Sequence, residues 1–99
     1  MSTMSELIGS QLEAYEIEVG DAGFQFSIGS LSVYNPIEIF GELESLVGSK
    51  VVSVKFTQEE NLEIEFNNSS RLRVSLNHSH YTSPEAFCMR FKTGVIVVE

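Results

Sequence analysis

Apolar and polar residues alternate along most of the chain. Leu62, Ile64 and Phe66 interleave with Glu63 and Glu65; Leu72, Val74 and Leu76 interleave with Arg71, Arg73 and Ser75. A period of two marks strands with one buried face and one wet face. The same reading predicts strands over residues 12–19, 24–28 and 31–34, and again over 51–57, 62–67 and 71–76. Tyr15, Ile17 and Val19 fall on one face of the first strand, with Glu16 and Glu18 on the other. Phe24, Phe26 and Ile28 continue the core face. Gly20-Asp21-Ala22-Gly23 and Asn67-Asn68-Ser69-Ser70 are turn clusters, because these side chains bond locally to backbone or tolerate positive φ. Residues 87–91 and 95–98 read as a final hairpin around Lys92-Thr93-Gly94. The unbroken apolar run Val95-Ile96-Val97-Val98 predicts a strand covered on both faces.

Cross-strand charge refines the register. Setting Phe56 against Leu62 places Val54 by Ile64 and Lys55 opposite Glu63. Setting Phe66 against Leu72 places Ile64 by Val74 and Glu65 opposite Arg73. Each charge match is worth roughly 0.2–1 kcal/mol, enough to choose a register but not to hold a fold. A one-residue slip would expose the whole apolar row.

One stretch follows helical spacing instead. Ile37, Phe40, Leu43, Leu46 and Val47 recur at intervals of three and four. Asn35 is placed to cap, Pro36 suits the first helical position, and Glu38 completes a capping box. Gly48 ends the segment, and Gly41 weakens it by about 1 kcal/mol. The expectation is a helix over residues 36–47. Ser83-Pro84-Glu85 also looks like a helix start, but too little follows for more than one turn.

The chain also repeats. Leu7-Ile8-Gly9-Ser10 returns as Leu46-Val47-Gly48-Ser49, and three alternating stretches follow each. The expected architecture is therefore α+β and mostly β. Two repeated three-stranded antiparallel meanders, about residues 7–35 and 46–77, are joined by the helix and followed by the C-terminal hairpin. With 99 residues this is one domain, 1–99, and 42% hydrophobic composition is that of a folded chain.

Charge adds what patterning cannot. The chain carries 14 acids and 6 bases, a net of −8. All six bases, Lys50, Lys55, Arg71, Arg73, Arg90 and Lys92, lie after residue 49. Glu6, Glu13, Glu16, Glu18, Asp21, Glu38, Glu42 and Glu44 precede them with no base among them. Nucleic acid is a poor partner for such a surface. The second meander balances its wet-face acids with its own arginines and lysine. The first offers Glu16 and Glu18 only Gln25 and Ser27. That contrast predicts an acidic face for an external cationic protein, with a solvated, solubilising surface as the plainer reading.

Catalytic chemistry is sparse. His78 and His80 begin a metal set but lack further ligands. Cys88, the single cysteine, fits a reducing compartment and reads as a core residue in Phe87-Cys88-Met89. The acids stand on wet strands with nothing to raise a pKa. No enzyme, metal or cofactor is expected. The first eleven residues lack a basic, apolar leader pattern, no run is long enough for a membrane helix, and a cytoplasmic protein without membrane or nucleic-acid partners is the expectation.

Leu7-Ile8-Gly9-Ser10, the stretch from Leu46 to Val54, Leu62-Glu63-Ile64-Glu65-Phe66-Asn67-Asn68 and Leu72-Arg73-Val74 together resemble the small immunity proteins of bacterial polymorphic and contact-dependent growth inhibition toxin systems. The resemblance spans about residues 6–98. It departs near residues 81–85, where many members carry a Trp and this chain has none. It implies a non-enzymatic inhibitor, monomeric in its complex, that binds the C-terminal domain of a cognate toxin, often a basic nuclease. On this chain the acidic groups expected to meet that partner are Glu13, Glu16, Glu18, Asp21, Glu38, Glu42 and Glu44. Tyr34 is the expected aromatic anchor, with Tyr15 divided between that role and the core. Other readings are a β-rich adaptor, a self-associating subunit pairing through residues 71–76 or 95–98, and a small enzyme or metal protein using His78, His80 and Cys88.

Overall fold

In a computed structural model, which describes residues 4–81 and 84–99, the alternating stretches pair into two antiparallel sheets. Among the described residues nine strands run β1 Leu12–Glu18, β2 Asp21–Phe26, β3 Gly29–Val33, β4 Ile37–Phe40, β5 Val51–Thr57, β6 Asn61–Phe66, β7 Arg71–Ser75, β8 Phe87–Phe91 and β9 Ile96–Val98. A single helical turn, α1 Leu43–Leu46, separates β4 from β5. One sheet has the order β1-β2-β3-β8-β9, the other β4-β7-β6-β5. Both contribute to one core. Phe24, Phe26, Leu31, Phe87 and Met89 come from the first sheet, Leu62, Ile64, Phe66, Leu72 and Val74 from the second.

The chain exchanges a strand between the sheets in both directions. After β1-β2-β3 it crosses to lay β4 against β7, and after β5-β6-β7 it crosses back to lay β8 against β3. The β3–β8 contact is close. A Cβ on Gly29 would run into the Arg90 carbonyl and sit 2.9 Å from the Met89 terminal methyl.

The segments before β1 and β5 clasp each other. The Gly9 amide donates to the Val51 carbonyl (2.7 Å) and the Gly48 amide to the Leu12 carbonyl (2.8 Å). The Leu12 amide donates to the Ser49 carbonyl (3.0 Å) and the Val51 amide to the Ser10 carbonyl (2.8 Å). Gly9 and Gly48 hold φ of +91° and +92°, a region where glycine pays no Cβ penalty. β1 and β5 each carry an irregularity in the same place, between Leu12 and Ala14 and between Val51 and Ser53.

Four expectations are corrected. Of the helix expected over residues 36–47 only the turn α1 Leu43–Leu46 forms. Ile37-Glu38-Ile39-Phe40 forms β4, because its branched residues alternate and the open edge of β7 offers it a ladder. Tertiary pairing overrides the helical spacing, and Asn35 caps nothing. Its Nδ2 donates instead to the Ser75 carbonyl (2.8 Å). Val95-Ile96-Val97-Val98 is not central: β9 is an edge strand, with Ile96 58% and Val98 46% exposed. Residues 71–76 form no free edge, since β7 lies between β4 and β6. Around Asn67–Ser70 the register shifts by two from expectation, pairing Ile64 with Leu72, Glu63 with Arg73 and Glu65 with Arg71. An even shift keeps every side chain on its predicted face. The β5–β6 register is as expected, with Lys55 opposite Glu63. Of the single turn expected at Ser83-Pro84-Glu85, Ser83 lies outside the described residues.

Candidate acidic cleft at the first crossover

The two wet faces differ in how they treat their acids. On the second sheet the register aligns Glu38, Arg73, Glu63 and Lys55 in one cross-strand row. Arg73 Nε and Nη2 both donate to Glu63 Oε2, at 3.1 and 2.9 Å. Arg71 lies 3.6 Å from Glu63, and Glu38 lies 3.9 Å from Arg73. The guanidinium carbons of both arginines stand about 5 Å from the Phe40 ring centre. The hydrogen bonds from Arg73 hold the Glu63 carboxyl below the ordinary carboxylate value. Glu38 therefore belongs to an internal charge ladder, away from the other expected partner-binding acids.

On the first sheet the opposite arrangement holds. β1 turns into β2 in two residues, Val19 and Gly20, so Glu18 lands directly opposite Asp21. Asp21 was expected inside the turn; it starts a strand instead. Glu16 lies two residues back along β1, opposite Gly23. Gln25 pairs with Ala14 and so supplies neither glutamate with a cross-strand partner. The Glu16 carboxylate, through a shared hydrogen bond and charge repulsion, pushes the Glu18 pKa up, with Asp21 adding to the repulsion. Among the described residues, no lysine, arginine or histidine nitrogen lies within 4.0 Å of a carboxylate oxygen of Glu13, Glu16, Glu18, Asp21, Glu42 or Glu44. Tyr15 and Ile17 stand opposite the buried Phe24 and Ala22 and so share the core face, but β1 is an edge strand and leaves Ile17 43% exposed; Val19, expected on that face, lies in the turn and is fully exposed. Tyr15 packs half-buried on the core.

Two adjoining clefts open beside these acids. One, about 270 Å³, runs from Ile17, Glu18 and Asp21 across to Tyr34, Asn35, Pro36 and Ile37. The other, about 250 Å³, is lined by Glu16, Asp21, Gly23, Ser32 and Tyr34. Asp21 and Tyr34 stand between them. The shared wall is where the chain leaves the first sheet for the second. That crossover is held by backbone bonds: the Tyr34 and Asn35 amides both donate to the Ala86 carbonyl, and the Ser75 amide donates to the Pro36 carbonyl.

The expected partner-binding residues thus divide. Glu16, Glu18, Asp21 and Tyr34 converge on the clefts. Glu42 precedes α1 and Glu44 lies in its first turn, both exposed, and Glu13 is exposed near the start of β1. Asn35 is the functional candidate that sequence reasoning assigned elsewhere. It is 95% buried, and among the described residues its Oδ1 has no hydrogen-bond partner. Its carbonyl-bonded Nδ2 reaches Ser75, 40 positions away, so no local pattern announces it.

The remaining chemistry is scattered. His78 and His80 lie on a 3₁₀ turn, where His80 Nδ1 bonds the Ser75 hydroxyl at 2.6 Å. Cys88 is buried on β8. Among the described residues no three His, Cys, Asp or Glu side chains are grouped to hold a metal ion, and no helix is long and apolar enough to cross a membrane. Comparison with family models, curated proteins and solved structures finds no match.

Proposed function

We propose that this chain is a binding protein of the immunity type, which neutralises the C-terminal domain of a toxin, a basic nuclease, without chemistry of its own. A nuclease must present lysine and arginine to hold phosphate, and an anionic inhibitor can occupy the same groups and accelerate encounter. The observation that carries this reading is the contrast between the sheets. The second sheet neutralises its wet-face acids at 2.9–3.9 Å, while the first sets Glu18 against Asp21 with Glu16 beside them. Like charges on facing strands cost stability, and an external cationic surface would repay that cost. Glu16, Glu18, Asp21 and Tyr34 form the proposed surface; Glu13, Glu42 and Glu44 line neither cleft. The two halves, each led by a Leu-x-Gly-Ser clasp, are read as copies of one unit whose wet faces have diverged.

The test is association kinetics with a basic C-terminal toxin domain sought in the reading frame next to the one for this chain. Reversing Glu16, Glu18 and Asp21 to lysine together is expected to slow association on the order of ten-fold at low ionic strength, with the difference shrinking as salt rises. An on-rate indifferent to the triple reversal would remove this face from the mechanism. The alternative, a β-rich adaptor or self-associating subunit, is favoured by the exposed apolar edge at Val95, Ile96 and Val98. A mass by analytical ultracentrifugation that rises with concentration would support it.

A further inference from the structure

Among the described residues four strands end the two sheets, β1 and β9 the first, β4 and β5 the second. An edge strand offers unpaired N–H and C=O groups to any chain that can align with it, and charges, prolines and bulges guard against this. β1 has a bulge and the glutamates 13, 16 and 18; β5 has a bulge and Lys55. β4 carries Glu38 and lies between Pro36 and Gly41, the latter at φ +112°. β9, Ile96-Val97-Val98, has no charge, no proline and no bulge. Its backbone is half used. The Phe91 amide donates to the Val95 carbonyl (2.9 Å) and the Glu99 amide to the Phe87 carbonyl (3.2 Å), with Val97 paired to Met89 between them. Alternation along an antiparallel ladder therefore turns the amides and carbonyls of Ile96 and Val98 to the open side. The side chains of these two residues share the outer face with Arg90 and Cys88, which they oppose, while Val97 packs on the core.

We propose that β9 pairs with β9 of a second copy of this chain, antiparallel about a two-fold axis at Val97, so that two five-stranded sheets become one of ten. The proposal rests on the self-associating reading above and gives it a definite seam. Setting Ile96 against Val98 of the second copy forms two hydrogen bonds in each of the two equivalent pairs, and these use every outward amide and carbonyl of both strands. The same register lays Ile96 beside Val98 on the outer face and Val97 beside Val97 on the inner, so each apolar side chain at the seam meets another. Charge favours a second copy over the basic partner of the acidic clefts. The strand itself is neutral, and the charge next to it in the sheet is a base, Arg90, opposite Ile96. A copy of net −8 is repelled over most of its surface, but β9 and β1 lie at opposite edges of their sheet. At about 4.8 Å per strand, the β1 strands of the two copies stand about 43 Å apart, several Debye lengths at physiological salt. Both clefts stay open at the two ends of the joined sheet. A seam of three residues from each copy is far smaller than the ~1,200 Å² of a stable interface, so the dimer is a weak one, with Kd on the order of 0.1 mM.

The experiment is sedimentation equilibrium of the full chain from about 10 µM to about 1 mM, with amide exchange read by NMR at both ends of the range. A monomer–dimer equilibrium is expected, tightened by salt because it joins like-charged molecules. The Ile96 and Val98 amides should gain protection with concentration, while the Glu99 amide, bonded to Phe87, is protected throughout. The double variants Ile96→Lys/Val98→Lys and Ile96→Glu/Val98→Glu change exposed side chains and set like charges opposite across the seam. Each should weaken self-association at least ten-fold, and the two mixed should pair with each other. Val98→Pro removes one outward amide and no bond to β8, and should weaken pairing as well; if it disturbs the fold, the mixed charge variants decide. Reversing Glu16, Glu18 and Asp21 should leave pairing no weaker, and a loss there would move the contact to the β1 end and overturn the seam. Charge variants that fail to pair with each other, or a folded Val98→Pro that pairs fully, would mean apolar clustering without a ladder and would overturn it too. A mass that rises with concentration equally in every β9 variant removes this seam but leaves self-association standing. A chain that stays monomeric across the whole range removes both.

Discussion

Glu63 and Glu18 sit on comparable wet faces, yet their surroundings push their pKa values in opposite directions. Hydrogen bonds from Arg73 lower that of Glu63, whereas Glu16, by hydrogen bond and charge, and Asp21, by charge, raise that of Glu18. The signs for stability follow. Glu63 contributes stability that is present above its unfolded pKa and is lost as pH falls through its lowered folded value. Glu18 costs stability when ionised, and that cost is relieved as pH falls through its raised value. Glu63→Gln should thus lower neutral-pH stability by about 1 kcal/mol, the upper range for a surface pair, because one oxygen takes two donors and only 19% of the side chain is exposed. It should also flatten the acid limb of the urea midpoint plotted against pH. Glu18→Gln should raise the midpoint at neutral pH, and added salt should erase the gain. A steepened acid limb in Glu63→Gln would refute the assignment. At this scale alternation placed Lys55 opposite Glu63 from sequence alone, since both lie next to an apolar row that admits one register. Asn35 was illegible. Asn-Pro before an apolar stretch reads equally as a helix start, and its true partner lies on β7.

The clasp is the element where local sequence and tertiary pairing agree most closely. Gly9 and Gly48 need positive φ, and nothing occupies the space a Cβ would enter at Gly9, while at Gly48 only the Gln11 side chain approaches, at 3.9 Å. Alanine at either site therefore tests backbone strain without a clash, at about 1–2 kcal/mol each. The two amides bond across to Val51 and Leu12 on either side of the Gln11–Lys50 bridge. Strain at one should loosen the other, so the double variant should depart from additivity by about 0.5 kcal/mol or more in denaturant titrations. Two additive, near-zero effects would show that the clasp carries little of the fold. The repeated Leu-x-Gly-Ser made these turns visible in sequence. The strands β5 and β8 were equally visible, because alternation bounded by turn residues leaves few choices. The segment from Ile37 to Phe40 was not, since its four residues satisfy both periods. What decided it was the unpaired edge of β7, a strand more than thirty positions downstream. Edge placement of β9 had the same cause: an apolar run states a preference for burial, not which neighbours remain to cover it.

The exchange of β4 and β8 makes the halves of the chain mutually dependent. The sheet built on residues 12–33 needs β8 from the other half, and the sheet built on residues 51–75 needs β4. It also converts a sequence asymmetry into a surface one. Glu38 leaves the acid-rich half to join Arg73, while Arg90 on β8 enters the first sheet, where Cys88, Tyr34 and Glu85 are its electrostatic neighbours. Glu16, Glu18 and Asp21 stay at the β1–β2 end, beside the crossover that carries β4 away. Rigid placement of the cleft therefore depends on both halves being folded. A chain divided into residues 1–41 and 42–99 tests this. Alone, the first piece leaves β3 without β8 and strands β4 with no sheet; the second leaves β7 without β4 and β8 without β3. Each exposes inner-face residues such as Leu31, Phe87 and Leu72 that are fully buried in the whole, at about 25 cal/mol per Å² of apolar area returned to water. Neither piece should give a dispersed amide spectrum by itself, and an equimolar mixture should recover the spectrum of the intact chain. A folded 42–99 piece alone would mean that the second sheet is autonomous and that the crossover strands are attachments rather than structure.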